Sequence, residues 1–78
     1  VLTYCYRKQL VYVKPAETLE EAVDYVLEVF PELKSVDRSA ISLEVRVLVG
    51  TTRQAVRVGA MAWPILLVKF TEYEVLDI

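Results

Sequence analysis

The sequence predicts one small α+β domain spanning residues 1–78, ordered β-β-α-β-β-β, with a single helix packed across a mostly antiparallel, mixed sheet. Three observations lead there. Residues 19–30 carry one apolar stripe at helical spacing. The segments on either side are short runs rich in Val, Ile, Leu and Tyr, bounded by polar or Gly/Pro breaks. And 78 residues with one cysteine make a single unstapled domain, near the lower limit for an unaided core.

Leu2 to Tyr6 and Leu10 to Val13 read as the first two strands. Arg7, Lys8 and Gln9 form the bend between them, which lacks the Gly or Asn of a tight primed turn. A three-residue bend is therefore expected, and it pairs Tyr4 with Tyr12 and puts Tyr6 beside them. A two-residue tip at Arg7-Lys8 instead sets Tyr4 against Val11 and moves Tyr12 to the face of Thr3 and Cys5. Pro15 stops the second strand.

The helix opens with Thr18 as cap and Glu21 three residues later, a capping box. Leu19, Ala22, Val23, Val26, Leu27 and Phe30 form its apolar stripe, and Glu20, Glu21, Asp24 and Glu28 its polar side. Pro31 disfavours helical geometry at Phe30 and ends it there.

After "DRSA", Ile41, Leu43, Val45, Val47 and Val49 alternate with Ser42, Glu44 and Arg46, the pattern of a half-buried strand. "GTTRQ" turns the chain, and Val56, Val58 and Ala60 return on one face with Arg57 on the other. With Thr51-Thr52 as the tip, Val45 faces Val58, Val47 faces Val56, and Arg46 sits opposite Arg57 on the outer face. Ile65 to Val68 is apolar on both faces, which suits a central strand or one covered by a partner.

The stretch "VYVKPAETLEEAVDYVLEVFPEL", Val11 to Leu33, resembles the ubiquitin-like β-grasp superfamily, and within it the sulfur-carrier branch. That branch includes the molybdopterin synthase small subunit and the thiazole-synthesis carrier. The resemblance covers about a third of the chain. It implies a β-grasp-like sheet crossed by one helix. The carriers work through a C-terminal Gly-Gly, whose carboxylate is adenylated and then thiolated. This sequence departs from that pattern: it closes on Leu76-Asp77-Ile78, and its glycines are Gly50 and Gly59. What the resemblance then implies is an adaptor presenting a sheet face to another protein, or a truncated or degenerate carrier.

Composition narrows the function classes. Hydrophobic residues make up 55% of the chain and the mean hydropathy is +0.37, so a body this small must expose apolar side chains. Contiguous exposed apolar surface marks interfaces, which points to a homo-oligomer or a partner subunit. No membrane span is expected, because the longest uncharged run, Val58 to Val68, falls short of roughly 20 residues. No basic-then-apolar leader is read, and a lone cysteine fits a reducing cytoplasm. The absence of His and Asn, with abundant Val, Leu, Glu and Arg, resembles thermophile usage.

Catalysis is poorly served. With no His, the usual general base near neutral pH is missing. "GTTRQ" lacks the second Gly and the Gly-Lys-Ser/Thr end of a phosphate-binding loop. Cys5 reads as a small strand hydrophobe. No metal or cofactor motif is recognised, and the chain reads as non-catalytic.

Two surfaces remain. Glu20, Asp24 and Glu28 recur on one helix face, while Arg46, Arg53, Arg57 and Lys69 fall in a stretch without acids. Docking of Arg46 and Arg57 onto the acidic helix face of a neighbouring copy is one mode of self-association. The other surface is a tyrosine face, Tyr4, Tyr6 and Tyr12 flanked by Arg7 and Lys8, which would stack single-stranded nucleic acid. A net charge of −2 gives that reading little electrostatic help.

Overall fold

A computed structural model describes residues 1–78. Strands β1 (Leu2–Tyr6) and β2 (Gln9–Val13) form the first hairpin. Helix α1 (Leu19–Val29) follows, then two short 3-10 turns at Pro31–Ser35 and Arg38–Ala40. Strands β3 (Glu44–Val49) and β4 (Thr52–Arg57) form the second hairpin. A one-turn helix α2 (Trp63–Leu67) leads to β5 (Val75–Asp77). The five strands make one sheet in the order β2-β1-β5-β3-β4. β1 and β5 are parallel and every other pair is antiparallel, so the sheet is mixed and the class is α+β.

The helix starts where its cap is strongest. Thr18 is extended, and its hydroxyl accepts from the N–H of Glu21 at 3.1 Å. The Glu21 carboxylate turns back to the N–H of Glu17 at 3.1 Å, one residue outside the usual box partner. Ala22, Val23, Val26 and Phe30 share one buried cluster with Leu2, Tyr4, Val13, Val45 and Leu76 of the sheet and Leu43 just before β3. These side chains are the core, and burying each large one stabilises the fold by about 1.5–3 kcal/mol.

The first hairpin turns more tightly than the sequence suggests, and the second turns one residue earlier. Arg7 and Lys8 take φ values of 48° and 67°, so two non-glycine residues fill a two-residue tip. Tyr4 therefore pairs with Val11, Thr3 with Tyr12, and Tyr6 with Gln9. The expected Tyr4–Tyr12 pairing is overturned: burial of Leu2, Tyr4 and Val13 on one face fixes the register more strongly than the tip disfavours it. In the second hairpin the tip is Gly50-Thr51, because Gly50 takes a φ of 64° without strain. Val45 then pairs with Val56, Arg46 with Ala55, and Glu44 with Arg57. Arg46 does not face Arg57.

Ile65 to Val68 is not the central strand. Gly59 O accepts from the N–H groups of Ala62 and Trp63, and Ala62 O from those of Ile65 and Leu66, winding the segment into α2. Pro64 suits the first turn of a helix, where its missing N–H costs nothing. Leu66 and Leu67 pack on the core while Ile65 and Val68 point outward. The central position belongs to β5, whose Leu76 is fully buried.

Candidate functional site

The sheet has a covered face and an open one. Strand alternation puts Leu2, Tyr4 and Leu76 under α1, and Thr3, Tyr12, Val75 and Asp77 on the opposite face. No helix lies over that opposite face. Leu10 (65% exposed), Tyr12 (67%), Tyr73 (56%) and Val75 (45%) make an apolar patch on it, around a shallow hollow floored by Thr3. The rings of Tyr12 and Tyr73 lie 5.4 Å apart, tilted by 50°.

Tyr73 is placed by the turn before β5. Thr71 donates from its N–H and hydroxyl to the Glu74 carboxylate, at 3.2 and 3.0 Å, and the N–H of Glu74 returns to Thr71 O at 3.0 Å. Tyr73 itself takes a left-handed φ of 66° at this turn. Its N–H donates to Val1 O at 2.8 Å, and its carbonyl accepts from the Thr3 hydroxyl at 3.2 Å. The Val1 ammonium pairs with Glu72. This segment closes over Thr3 and holds one ring beside Tyr12, so the patch is prepared rather than incidental to a loose loop.

The patch ends toward β3 and β4 in charge. The guanidinium of Arg46 meets the Asp77 carboxylate at 3.4 Å, and Arg53 shares a second hollow with Arg46, Tyr73 and Glu74. Arg57 stands opposite Glu44 in the β3–β4 register.

The helix face is also partly satisfied within the chain. The Arg38 guanidinium contacts the Asp24 carboxylate at 2.7 Å and donates to Glu20 O at 2.7 Å. Glu20, Asp24 and Glu28 are exposed on α1, on the far side of the sheet from Arg46 and Arg57. Within one molecule the structure does not bring the two sets together.

The tyrosine face expected from Tyr4, Tyr6 and Tyr12 is broken up. Tyr4 is fully buried, Tyr6 packs its ring 5.5 Å from that of Phe30, and Tyr12 alone reaches the open face. Arg7 lies over the Tyr6 ring at 5.4 Å, and Lys8 is exposed at the tip. The two-residue tip is the cause, because it flips Tyr12 away from Tyr4. Sequence reasoning missed Leu10, Tyr73 and Val75. The signal for Val75 was the short run Val75-Leu76, which reads as a strand only once Ile65 to Val68 is released from that role, while Tyr73 sits in a left-handed turn that no alternation announces.

Other exposed apolar side chains lie around α2: Ile65 on it, and Met61 and Val68 just beyond its two ends. Cys5 is half-buried between Leu10 and Asp77 in the register. No helix is long and apolar enough to cross a membrane. Set against known proteins, the chain matches no family model, and no curated protein or solved structure matches it significantly.

Proposed function

We propose that this chain is a β-grasp-like, non-catalytic interaction or subunit module that self-associates through its open sheet face and the adjoining β2 edge. The observation that carries the reading is the uncovered Leu10/Tyr12/Tyr73/Val75 patch, with its two tyrosine rings held in contact by the turn before β5. β2 adds an uncharged edge strand, "QLVYV", of the kind that pairs with another chain unless it is guarded. The sheet order β2-β1-β5-β3-β4, with one helix on one face, supports the β-grasp reading. Contact between Arg46/Arg57 and the acidic helix face ranks behind the patch, because Arg46 and Asp24 already have partners within the chain.

Light scattering across protein concentration and salt tests this. The expected result is an oligomer that persists at high salt and dissociates in Leu10→Asp and Tyr12→Ser variants with unchanged circular dichroism. An oligomer that falls apart with salt would move the interface to the charged surfaces. A monomer at every concentration and salt sinks the proposal.

A second reading, single-stranded nucleic-acid binding, is favoured by the same pair of exposed rings beside Arg46 and Arg53. It ranks lower because Glu72 and Glu74 flank Tyr73 in the chain and Glu74 and Asp77 line the hollow beside it, where they repel phosphate. A fluorescent oligonucleotide that fails to bind at low salt ends it.

A further inference from the structure

The two free edges of the sheet differ in chemistry. β2 is uncharged, whereas β4 carries Arg53 and Arg57 on the open-face side. Neither arginine makes an ion pair, unlike Arg38 and Arg46. The β3–β4 ladder runs through six consecutive pairs without a bulge, and no proline or inward-pointing charge guards its outer strand. Its far half also stands clear of the core. Val45 is buried, but Val47, Val49 and Val56 are exposed on the helix-side face with no helix beneath them.

The backbone of this edge is available. Val58 N–H donates to Leu43 O at 2.9 Å. Antiparallel alternation then makes Val45–Val56, Val47–Gln54 and Val49–Thr52 the hydrogen-bonded pairs. The N–H and C=O groups of Arg53, Ala55 and Arg57 are left directed away from β3. An added strand would find those groups in a row, an apolar surface around Val56 on one side, and two unpaired guanidinium groups on the other.

We propose that the β4 edge docks an extended segment of a partner protein in which acidic and apolar residues alternate. Its acids face Arg53 and Arg57, and its apolar side chains pack beside Val56. Charge selects this occupant over a second copy of the chain. A two-fold β4–β4 pairing about Ala55 sets Arg53 against Arg57 of the other copy, and one about Gln54 crowds all four arginines diagonally. The proposal rests on the reading of the chain as an interaction module but uses the opposite edge of the sheet. The two edges are about 19 Å apart at the usual strand spacing.

The test is amide hydrogen exchange by NMR with a synthetic peptide of alternating glutamate and valine, as long as β4. The amides of Arg53, Ala55 and Arg57 should exchange rapidly in the free protein and slow by at least about tenfold with the peptide. The Arg53→Glu variant, whose register partner is the neutral Leu48, should lose this peptide and gain one of alternating lysine and valine. Arg57→Gln should weaken the glutamate peptide without placing a new charge opposite Glu44. Three results overturn the idea: protection at Leu10 and Tyr12 instead, equal binding of a peptide with its glutamates and valines in separate blocks, or protection that rises with protein concentration alone. Self-association through β2 leaves these three amides open, so either proposal can fail without the other.

Discussion

The indole N–H of Trp63 donates to the carbonyl of Ala16 at 2.8 Å, and both residues are fully buried. One bond thus ties α2 to the loop that enters α1, 47 residues earlier in the chain. Trp63 also meets Phe70 edge-on at 5.8 Å, so the same ring anchors the segment that leads to β5. Trp63→Phe keeps an aromatic body but leaves the Ala16 carbonyl without its donor. It should destabilise the fold by about 2–4 kcal/mol, from an orphaned buried acceptor and a residual cavity. Urea unfolding measures this, and a loss below about 1 kcal/mol would mean that water satisfies the carbonyl instead.

Tyr4 is fully buried beneath α1 and its hydroxyl has no hydrogen-bond partner. Burial pushes its phenol pKa up, and the neighbouring Tyr25 and Glu21 push it further in the same direction. The folded state therefore holds the neutral phenol more tightly than the unfolded chain does. Stability from this group is complete below about pH 10 and is lost as the pH rises above that toward the folded-state value. Tyr4→Phe should raise stability at neutral pH by about 1 kcal/mol and flatten the alkaline decline. Thermal melts of both proteins between neutral and strongly alkaline pH would show it. An equal alkaline decline in the two would assign that loss to other groups.

The Arg7-Lys8 tip holds two side-chain-bearing residues at positive φ, each costing about 1–2 kcal/mol relative to glycine. Replacing the pair with Asn-Gly (Arg7→Asn, Lys8→Gly) should stabilise the hairpin by about 1 kcal/mol. That is the net after losing the contact of Arg7 with the Tyr6 ring, worth about 0.5 kcal/mol at an exposed site. Denaturant midpoints provide the comparison. No gain would argue for a longer bend and the other tyrosine register.

The helix was legible because every local signal agreed: the Thr18 cap, the apolar stripe and Pro31 all place it where it lies. The first hairpin's strands were legible to within a residue, whereas β3 starts at Glu44 instead of Ile41 and β4 ends at Arg57, short of the expected return through Val58 and Ala60. The tips were not, since both registers satisfy the local pattern and only the common burial of Leu2, Tyr4 and Val13 chooses between them. Ile65 to Val68 misled because an apolar run of that length suits a buried strand and a one-turn helix equally, and Pro64 decided for the helix. The true central strand is three residues long, preceded by Glu74 and ending on Asp77, so it carries little pattern of its own. The open face depended on both errors. Tyr12 reached it through the shorter tip, and Tyr73 through the displaced last strand.

β5 has a consequence for the order in which the fold can be built. Each hairpin closes locally, but the two halves of the sheet meet only through β5, which pairs Thr3 with Val75 and Glu44 with Asp77. A chain emerging from the ribosome holds both hairpins and the helix before the strand that joins them exists. The β1–β5 contacts span nearly the whole sequence, which makes them the slow, entropically expensive part of folding. Leu76→Ala should therefore slow refolding in stopped-flow measurements rather than chiefly speed unfolding. Until β5 inserts, the nascent domain is two separate ribbons with bare inner edges, and that interval is when a newly made chain is most exposed to sticking to its neighbours.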